Sequence, residues 1–387
     1  MALKDVWNNV TFSDLENKLI YLNVGLDSFV VRTATIEEAT KFWEINEPSI
    51  EVNLDYDVST NGLVNIDTTG IEDVPIIGGK ASNFAELKKI QTYYSQLDSI
   101  PLPECSFAIP FSYYQQHIIK NKIDSVINVT LSDSLFLTDI AYKQSKLQYI
   151  QSLIKKAPID TLLVNLVKAK ILKDGGSFTY FRFRSSTNTE DIEDFNGAGL
   201  YDSYTGSLTD PDKPIDKAIK KVWASLWNYG AFEEREYFKI NHKTVQMGIL
   251  VHRSFPSEEA NGVVITSIIY NRPELYYPGV TINAQFGESS ITNPDGNYIP
   301  DQIICYTFSL DNESPYIIEY LRKSNVPGMG NQSVLTNDEI YNLTDLCRDI
   351  NLHYYYKTGN KITFDVEFKV DMVDGKRKLY IKQARPY

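Results

Sequence analysis

The stretch FRFRSSTNTEDIEDFNGAGLYDSY, residues 181–204, opens as a strand and ends as a loop. Alternation in FRFR sets Arg182 and Arg184 on one face of that strand. The run of hydroxyls, acids and two glycines that follows is a poor core element. It reads as a strand that delivers arginine to a site, then a glycine-bearing loop that can close over an anion. Two other segments point the same way. GGKASNFAEL (residues 78–87) is a glycine pair leading into an amphipathic helix, a good anion-facing helix start. DVEF and IKQARPY, between residues 365 and 387, place paired acids on one strand and a glutamine and an arginine on the next.

Composition sets the outer bounds. With 387 residues the chain can form two or three cores, and 43% hydrophobic with 23% charged residues is ordinary for a globular protein. A net charge of −12 and no long basic block argue against nucleic acid as a partner. Cys105, Cys305 and Cys347 are far apart and odd in number, as expected for reduced thiols in a cytoplasmic protein. The N-terminal MALKDVWNN lacks a signal-peptide core, and the apolar run GVVITSIIY (residues 262–270) is too short for a bilayer. No membrane partner is expected.

Along the chain, LIYLNVGL (residues 19–26) and SFVVRTAT (28–35) read as a hairpin about Asp27, and residues 36–46 as a helix. The polar stretch 47–72 lacks periodicity and reads as a linker. IPLPECSFAIPFSYYQQHI has strand then helix character. Residues 140–156 form a helical stretch ending before Pro158. Residues 213–237 read as one long helix with apolar positions Ile219, Val222, Trp223, Leu226 and Trp227. MGILVHRSF and ANGVVITSII read as two strands joined by the turn PSEE, and VTINAQFGE as another strand and loop. TNDE (336–339) is a capping box opening a helix to about Tyr356. ITFDVEFKV and KLYIKQARP form a closing hairpin. Strand-rich and helix-rich parts together indicate α+β.

In combination, GGKASN, RSST followed by NTED, and QARP resemble, in order and spacing, the nucleotide-binding domain of the phosphoenolpyruvate synthase and pyruvate phosphate dikinase family. The resemblance covers roughly residues 70 to 387. It implies an ATP-grasp-like fold of two lobes over residues 73–387. Ahead of it come a small β-rich segment at 1–46 and a linker at 47–72. It also implies ATP and Mg²⁺ as cofactors. Matching positions carry Lys80 to the nucleotide phosphates, and Arg184 and Arg385 to the phosphoryl group as catalytic cations. Asp365, Glu367 and Gln383 go to the metal, and Glu367 and Gln383 also to the nucleotide. His252 and Phe255 lie on the strand that leads into the adenine-binding hinge, although relatives usually carry glutamine in place of His252. Glu288 in FGESS resembles the glutamate of the family's GLGE loop, here shortened. Arg182 is not marked by the resemblance and is expected in a structural salt bridge. Glu190, Asp191 and Asp194 are expected to be solvated loop acids, and Gly197 and Gly199 to give that loop hinge freedom.

The same residues have plainer readings: a solvated lysine at a helix start, and an exposed hairpin face laced with salt bridges. The family passes its phosphoryl group through a histidine on a swivelling domain. His117, His242, His252 and His353 sit in no matching context. The expected function is therefore an ATP-dependent phosphotransferase module, incomplete by itself, that phosphorylates a histidine on another domain or partner. The alternative is a non-catalytic, ATP-binding regulatory module. Residues 1–35 resemble the tail of a swivel domain, or equally form a simple hairpin extension.

One geometric condition follows from the residues. Asp365, Glu367, Gln383 and Arg385 can serve one site only if they share a face of the closing hairpin. A two-residue Asp374-Gly375 turn would set Glu367 opposite Lys382 and send Gln383 to the far face. A shared face demands a loop of odd length, or a bulge of odd size, between Glu367 and Gln383.

Overall fold

Short-range signals build the first elements. β1 (Ile20–Val24) pairs antiparallel with β2 (Phe29–Thr33), and the helix Ile36–Asn46 follows, as expected. Thr35 and Glu38 exchange side-chain-to-backbone hydrogen bonds at 2.9 and 3.1 Å, the capping box that starts this helix. The structure, a computed structural model, describes residues 12, 14–15, 18–24, 29–46, 48, 50–190, 195, 197, 199–270, 278–288, 298–307, 316–327, 330 and 332–387. The hairpin tip at Asp27, Asp191 and Asp194 lie outside the described residues. Contacts divide the chain into one unit of Met1–Asn53 with Glu234–Asn241, and a second of Leu54–Glu233 with His242–Tyr387.

The second unit holds two antiparallel sheets. The first contains β3 (Val64–Asn65), β4 (Phe107–Ile109), β5 (Tyr180–Thr187), β6 (Tyr204–Ser207) and β7 (Met247–Arg253), in the order β3-β4-β7-β5-β6. The second contains β8 (Ala260–Ile265), β9 (Gly279–Phe286), β10 (Asp301–Tyr306), β11 (Ile317–Arg322), β12 (Phe364–Val373) and β13 (Lys376–Pro386), in the order β11-β10-β9-β8-β12-β13. β7 and β8 are both formed, but they are not a hairpin: the chain leaves one sheet at Arg253 and enters the other at Ala260. The segment 47–72 is also more than a linker. It contributes β3 and two short 3-10 turns, Ile66–Thr68 and Ile71–Asp73.

Each sheet is covered by helix on its apolar side. Phe181 and Phe183 of β5 are buried on the side where the helix Ile215–Ser225 packs through Ile219, Val222 and Trp223. The helix Asn337–Thr358 packs on β9 and β10, burying Ile340, Leu343, Leu346 and Ile350 with Ile282, Ile303 and Val366. Its Thr336–Glu339 capping box forms as the sequence indicates, and the helix Ile140–Lys156 has the expected bounds. The long helix expected over 213–237 is instead two, Ile215–Ser225 and Tyr229–Tyr237. After Ser225 the backbone tightens to three-residue hydrogen bonds at Leu226, Trp227 and Asn228. The Trp227 carbonyl then accepts from Gln151 Nε2 at 3.0 Å, and Asn228 Nδ2 donates to the Leu200 carbonyl at 3.1 Å. These tertiary partners replace the helical ones.

Two positions fix the helix Gly79–Leu87 against the rest of the unit. Gly78 caps it at φ 84°, ψ 166°, a region essentially reserved for glycine. A Cβ there would meet the Ser186 backbone at 2.4 Å. At the other end, Glu86 is buried and takes hydrogen bonds from His353 (2.7 Å), Lys357 (2.8 Å) and the Ile71 amide (3.2 Å). Burial alone would raise the Glu86 carboxyl, but His353, Lys357 and Ile71 together hold it down at about 2.

Gly78→Ala is expected to destabilise the unit by about 3 kcal/mol, from backbone strain plus the clash on Ser186, as read by urea unfolding. The Glu86 pairing also gives a pH signature. A carboxyl whose folded pKa is depressed adds stability above its unfolded value, which is lost as pH falls. Wild-type stability should therefore decline by on the order of 3 kcal/mol as pH falls from about 4.5 to about 2, while Glu86→Gln should start lower and vary less over that window.

Candidate functional site

The closing hairpin meets the geometric condition, by a bulge and not by a longer loop. Asp374 and Gly375 form a two-residue turn with φ of 51° and 73°, the positive pair that type I′ requires, and Val373 pairs with Lys376. Pairing then runs regularly to Phe368 opposite Ile381. There the register shifts: Glu367 faces Gln383, and Asp365 faces Arg385. Lys382 is the extra residue, left out of the ladder as in a β-bulge. The bulge puts the acids, the amide and the arginine on one face of β12 and β13.

Arg184 reaches this face from the other sheet. From β5, its Nη1 donates to the Lys382 carbonyl at 3.1 Å, and its Nη2 donates to Glu367 Oε2 at 2.9 Å and Gln383 Oε1 at 2.8 Å. These partners lie 183 to 199 residues away in the chain. Lys382 Nζ approaches the same Glu367 Oε2 at 3.4 Å. Arg385 binds Asp365 Oδ2 through Nε and Nη2 at 3.1 and 2.7 Å. Asp365 Oδ1 is buried with no hydrogen-bond partner among the described residues.

Lys80 stands at the start of the helix that Gly78 caps. Its ammonium donates to the Ser185 carbonyl at 2.8 Å and to Glu190 Oε1 at 3.0 Å, while the Ala81 amide donates to Ser186 Oγ at 2.9 Å. The helix start is thereby fastened to the RSST end of β5. Glu190 is not the solvated loop acid expected from its sequence surroundings: it is mostly buried and paired with Lys80. Arg182 also departs from expectation, because its guanidinium meets no carboxylate among the described residues. Its side-chain hydrogen bond is to Thr205 Oγ1 at 3.3 Å.

Of the remaining candidates, His252 is buried directly across the ladder from Arg182. Its Nδ1–H donates to the Arg253 carbonyl at 2.6 Å, and its Nε2 has no hydrogen-bond partner among the described residues. Phe255 is buried, packed edge-on against Tyr380 with centroids 5.3 Å apart. Glu288 is exposed beyond the end of β9, two strands from β12. Reading the sequence missed Lys382, Lys369 and Glu258. Lys369 and Glu258 form an ion pair close by. Lys369 follows Glu367 at the two-residue spacing of one strand face, which could have flagged it.

The electrostatics follow from crowding. Burial would raise the Glu367 carboxyl, but Arg184, Lys382, Lys80 and Arg385 outweigh it and hold Glu367 well below the carboxylate range. Burial, with Arg184 and Arg182, pushes Lys382 down to about 8 although Glu367 opposes the shift. Burial raises Asp365 against the pull of Arg385, with Glu367 adding to the rise. Burial and Arg184 keep His252 neutral. Chemically, the arrangement offers guanidinium and ammonium donors beside hard carboxylate and amide oxygens, a set suited to polyanions and to a divalent cation.

Against known proteins, residues 74–387 match the model of the pyruvate phosphate dikinase, AMP/ATP-binding domain. The chain belongs to that family. It is 26% identical over 371 residues to the phosphoenolpyruvate synthase of Pyrococcus furiosus, a match covering 81% of this chain and 42% of that one. It is 26% identical over 328 residues to the probable phosphoenolpyruvate synthase of Archaeoglobus fulgidus, covering 81% and 40%. It is also 26% identical over 345 residues to the phosphoenolpyruvate synthase of Aquifex aeolicus, covering 83% and 39%. The chain thus spans less than half the length of these relatives. Among the described residues no helix is long and apolar enough to cross a membrane.

The depressed Lys382 supplies a direct check. With its lysines reductively ¹³C-methylated, the protein should show one resonance titrating near 8, absent in Lys382→Arg. In Glu367→Gln that midpoint should fall further, because the carboxylate that favours the charged ammonium is gone. A Lys382 midpoint above 10 would remove the crowded-cation account.

Proposed function

We propose that this chain is a phosphotransferase module that binds Mg-ATP and passes a phosphoryl group to a histidine on another domain or partner. Family membership supports nucleotide binding. The observation that carries the finer reading is Arg184, buried and joined to both Glu367 and Gln383 from the opposite sheet. Phosphoryl transfer asks a protein mainly for positioning and charge, with little covalent work. Arg184 and Arg385 are the catalytic cations of the proposal, aligning phosphate oxygens by their planar forks. Lys80 neutralises charge on the same phosphates from a helix start where glycine lets the backbone approach closely. In an ATP-grasp-like arrangement, the two sheets would hold the nucleotide between them, with His252 and Phe255 toward its base.

The residues present fit Mg²⁺. Asp365 Oδ1 is a buried oxygen without a hydrogen-bond partner among the described residues, and Glu367 and Gln383 supply further hard oxygens on the same hairpin face. The metal, when bound, would neutralise phosphate charge; Asp365, Glu367 and Gln383 would hold it. Arg184 pairs with Glu367 and Arg385 with Asp365. In the proposal each arginine also turns to phosphate oxygens. The cytoplasm is the proposed setting, and a histidine-bearing swivel domain the proposed partner.

Calorimetry with Mg-ATP tests the proposal. A Kd between micromolar and millimolar is expected, and Arg184→Ala should raise it about 10- to 100-fold through loss of charge-assisted hydrogen bonds. Neither heat nor thermal shift at high nucleotide would overturn it.

A further inference from the structure

Every other cation at the junction of β5 with the β12–β13 hairpin faces an acid. Lys80 has Glu190, Arg184 and Lys382 share Glu367, Arg385 has Asp365, and Lys369 has Glu258. Arg182 has no carboxylate among the described residues. It is half-buried, and among the described residues its side chain hydrogen-bonds only the neutral Thr205 hydroxyl. It sits on the same face of β5 as Arg184, and within electrostatic range of Arg184, His252, Lys369 and Lys382. The opposing charge it feels comes from Asp202 and Tyr204, with no ion pair to either.

A guanidinium partly drawn from water among other cations, with no ion-paired acid among the described residues, raises the free energy of the protein. Among the described residues only the Thr205 hydroxyl and the more distant charges of Asp202 and Tyr204 offset it. A guanidinium with no ion pair among the described residues, on a face that already gathers phosphate-suited side chains, is placed to meet an anionic ligand. An arginine fork matches phosphate oxygens bidentately.

We propose that Arg182 is a further phosphate-binding residue of this site, its guanidinium receiving one phosphate of the bound nucleotide. The assignment rests on the nucleotide reading above and adds to it a cation that the resemblance leaves unassigned. Arg182 would then be specificity-determining, favouring nucleotides over nucleosides.

The test compares wild type, Arg182→Ala and Arg182→Lys by calorimetry with Mg-ATP, Mg-ADP, AMP and adenosine, and by thermal melting without ligand. Arg182→Ala should raise the Kd of Mg-ATP about 10- to 100-fold, the loss of one charge-assisted contact. Arg182→Lys should recover part of that, and adenosine should bind all three alike. The empty Arg182→Ala protein should melt no lower than wild type, because a repelled cation has been removed. Unchanged Mg-ATP affinity overturns the assignment, as does an equal loss for adenosine. So does a melting point lowered in both variants, which would make Arg182 structural. A wild-type chain that binds no nucleotide overturns the underlying reading, and the assignment with it.

Discussion

Lys382 is one residue more than the β12–β13 ladder can pair. That surplus reconciles two demands that conflict. Local turn chemistry wants the two-residue Asp374-Gly375 loop, whose positive φ values match the right-handed twist of the strands. The site wants Glu367 opposite Gln383 and Asp365 opposite Arg385. A regular ladder from that turn would satisfy the first and defeat the second, since a slip of one residue reverses faces. The bulge lets both hold. It also leaves the Lys382 carbonyl to accept from Arg184, so the irregularity that aligns the hairpin is the point where the other sheet grips it.

The grip is electrostatic, and the charges do not balance. Lys80, Arg182, Arg184, Lys369, Lys382 and Arg385 gather near Glu190, Glu258, Asp365 and Glu367, leaving cations in excess in a chain whose net charge is −12. Partial burial makes the excess matter, because charges crowded away from water shift one another's protonation. Such an excess of cations predisposes the site to anions.

A second junction keeps the two sheets in place. Arg253, at the end of β7, is buried between Glu104 and Asp371, with contacts of 2.5 and 2.7 Å. Its guanidinium lies over the rings of Phe178, Phe255 and Tyr380 at 4.0 to 4.8 Å. Asp371 belongs to β12, so the residue at which the chain leaves the first sheet is tied to the second. Phe255, expected toward a nucleotide, packs against this guanidinium.

Local features of the sequence determined much of what stands here. The capping box at Thr336, the helix ending before Pro158 and the strand alternation of FRFR and DVEF are signals carried within a few residues, where backbone propensity and side-chain period act directly. Paired residues near the end even required an odd irregularity in the hairpin. What the sequence could not determine was partnership across long separations. MGILVHR and ANGVVI look like a hairpin, yet they join different sheets, because strand order is set by which faces find a common core. The helix expected over 213–237 breaks where Gln151 and Leu200 bind its backbone and the Asn228 side chain. Glu190 became a buried partner of Lys80, Lys382 entered the site through a bulge, and Arg182 has no ion-paired acid among the described residues. Each of these depends on Coulomb energy between groups that only the packed sheets bring within a few ångströms. Charge pairing falls with distance in space, and sequence distance does not measure it.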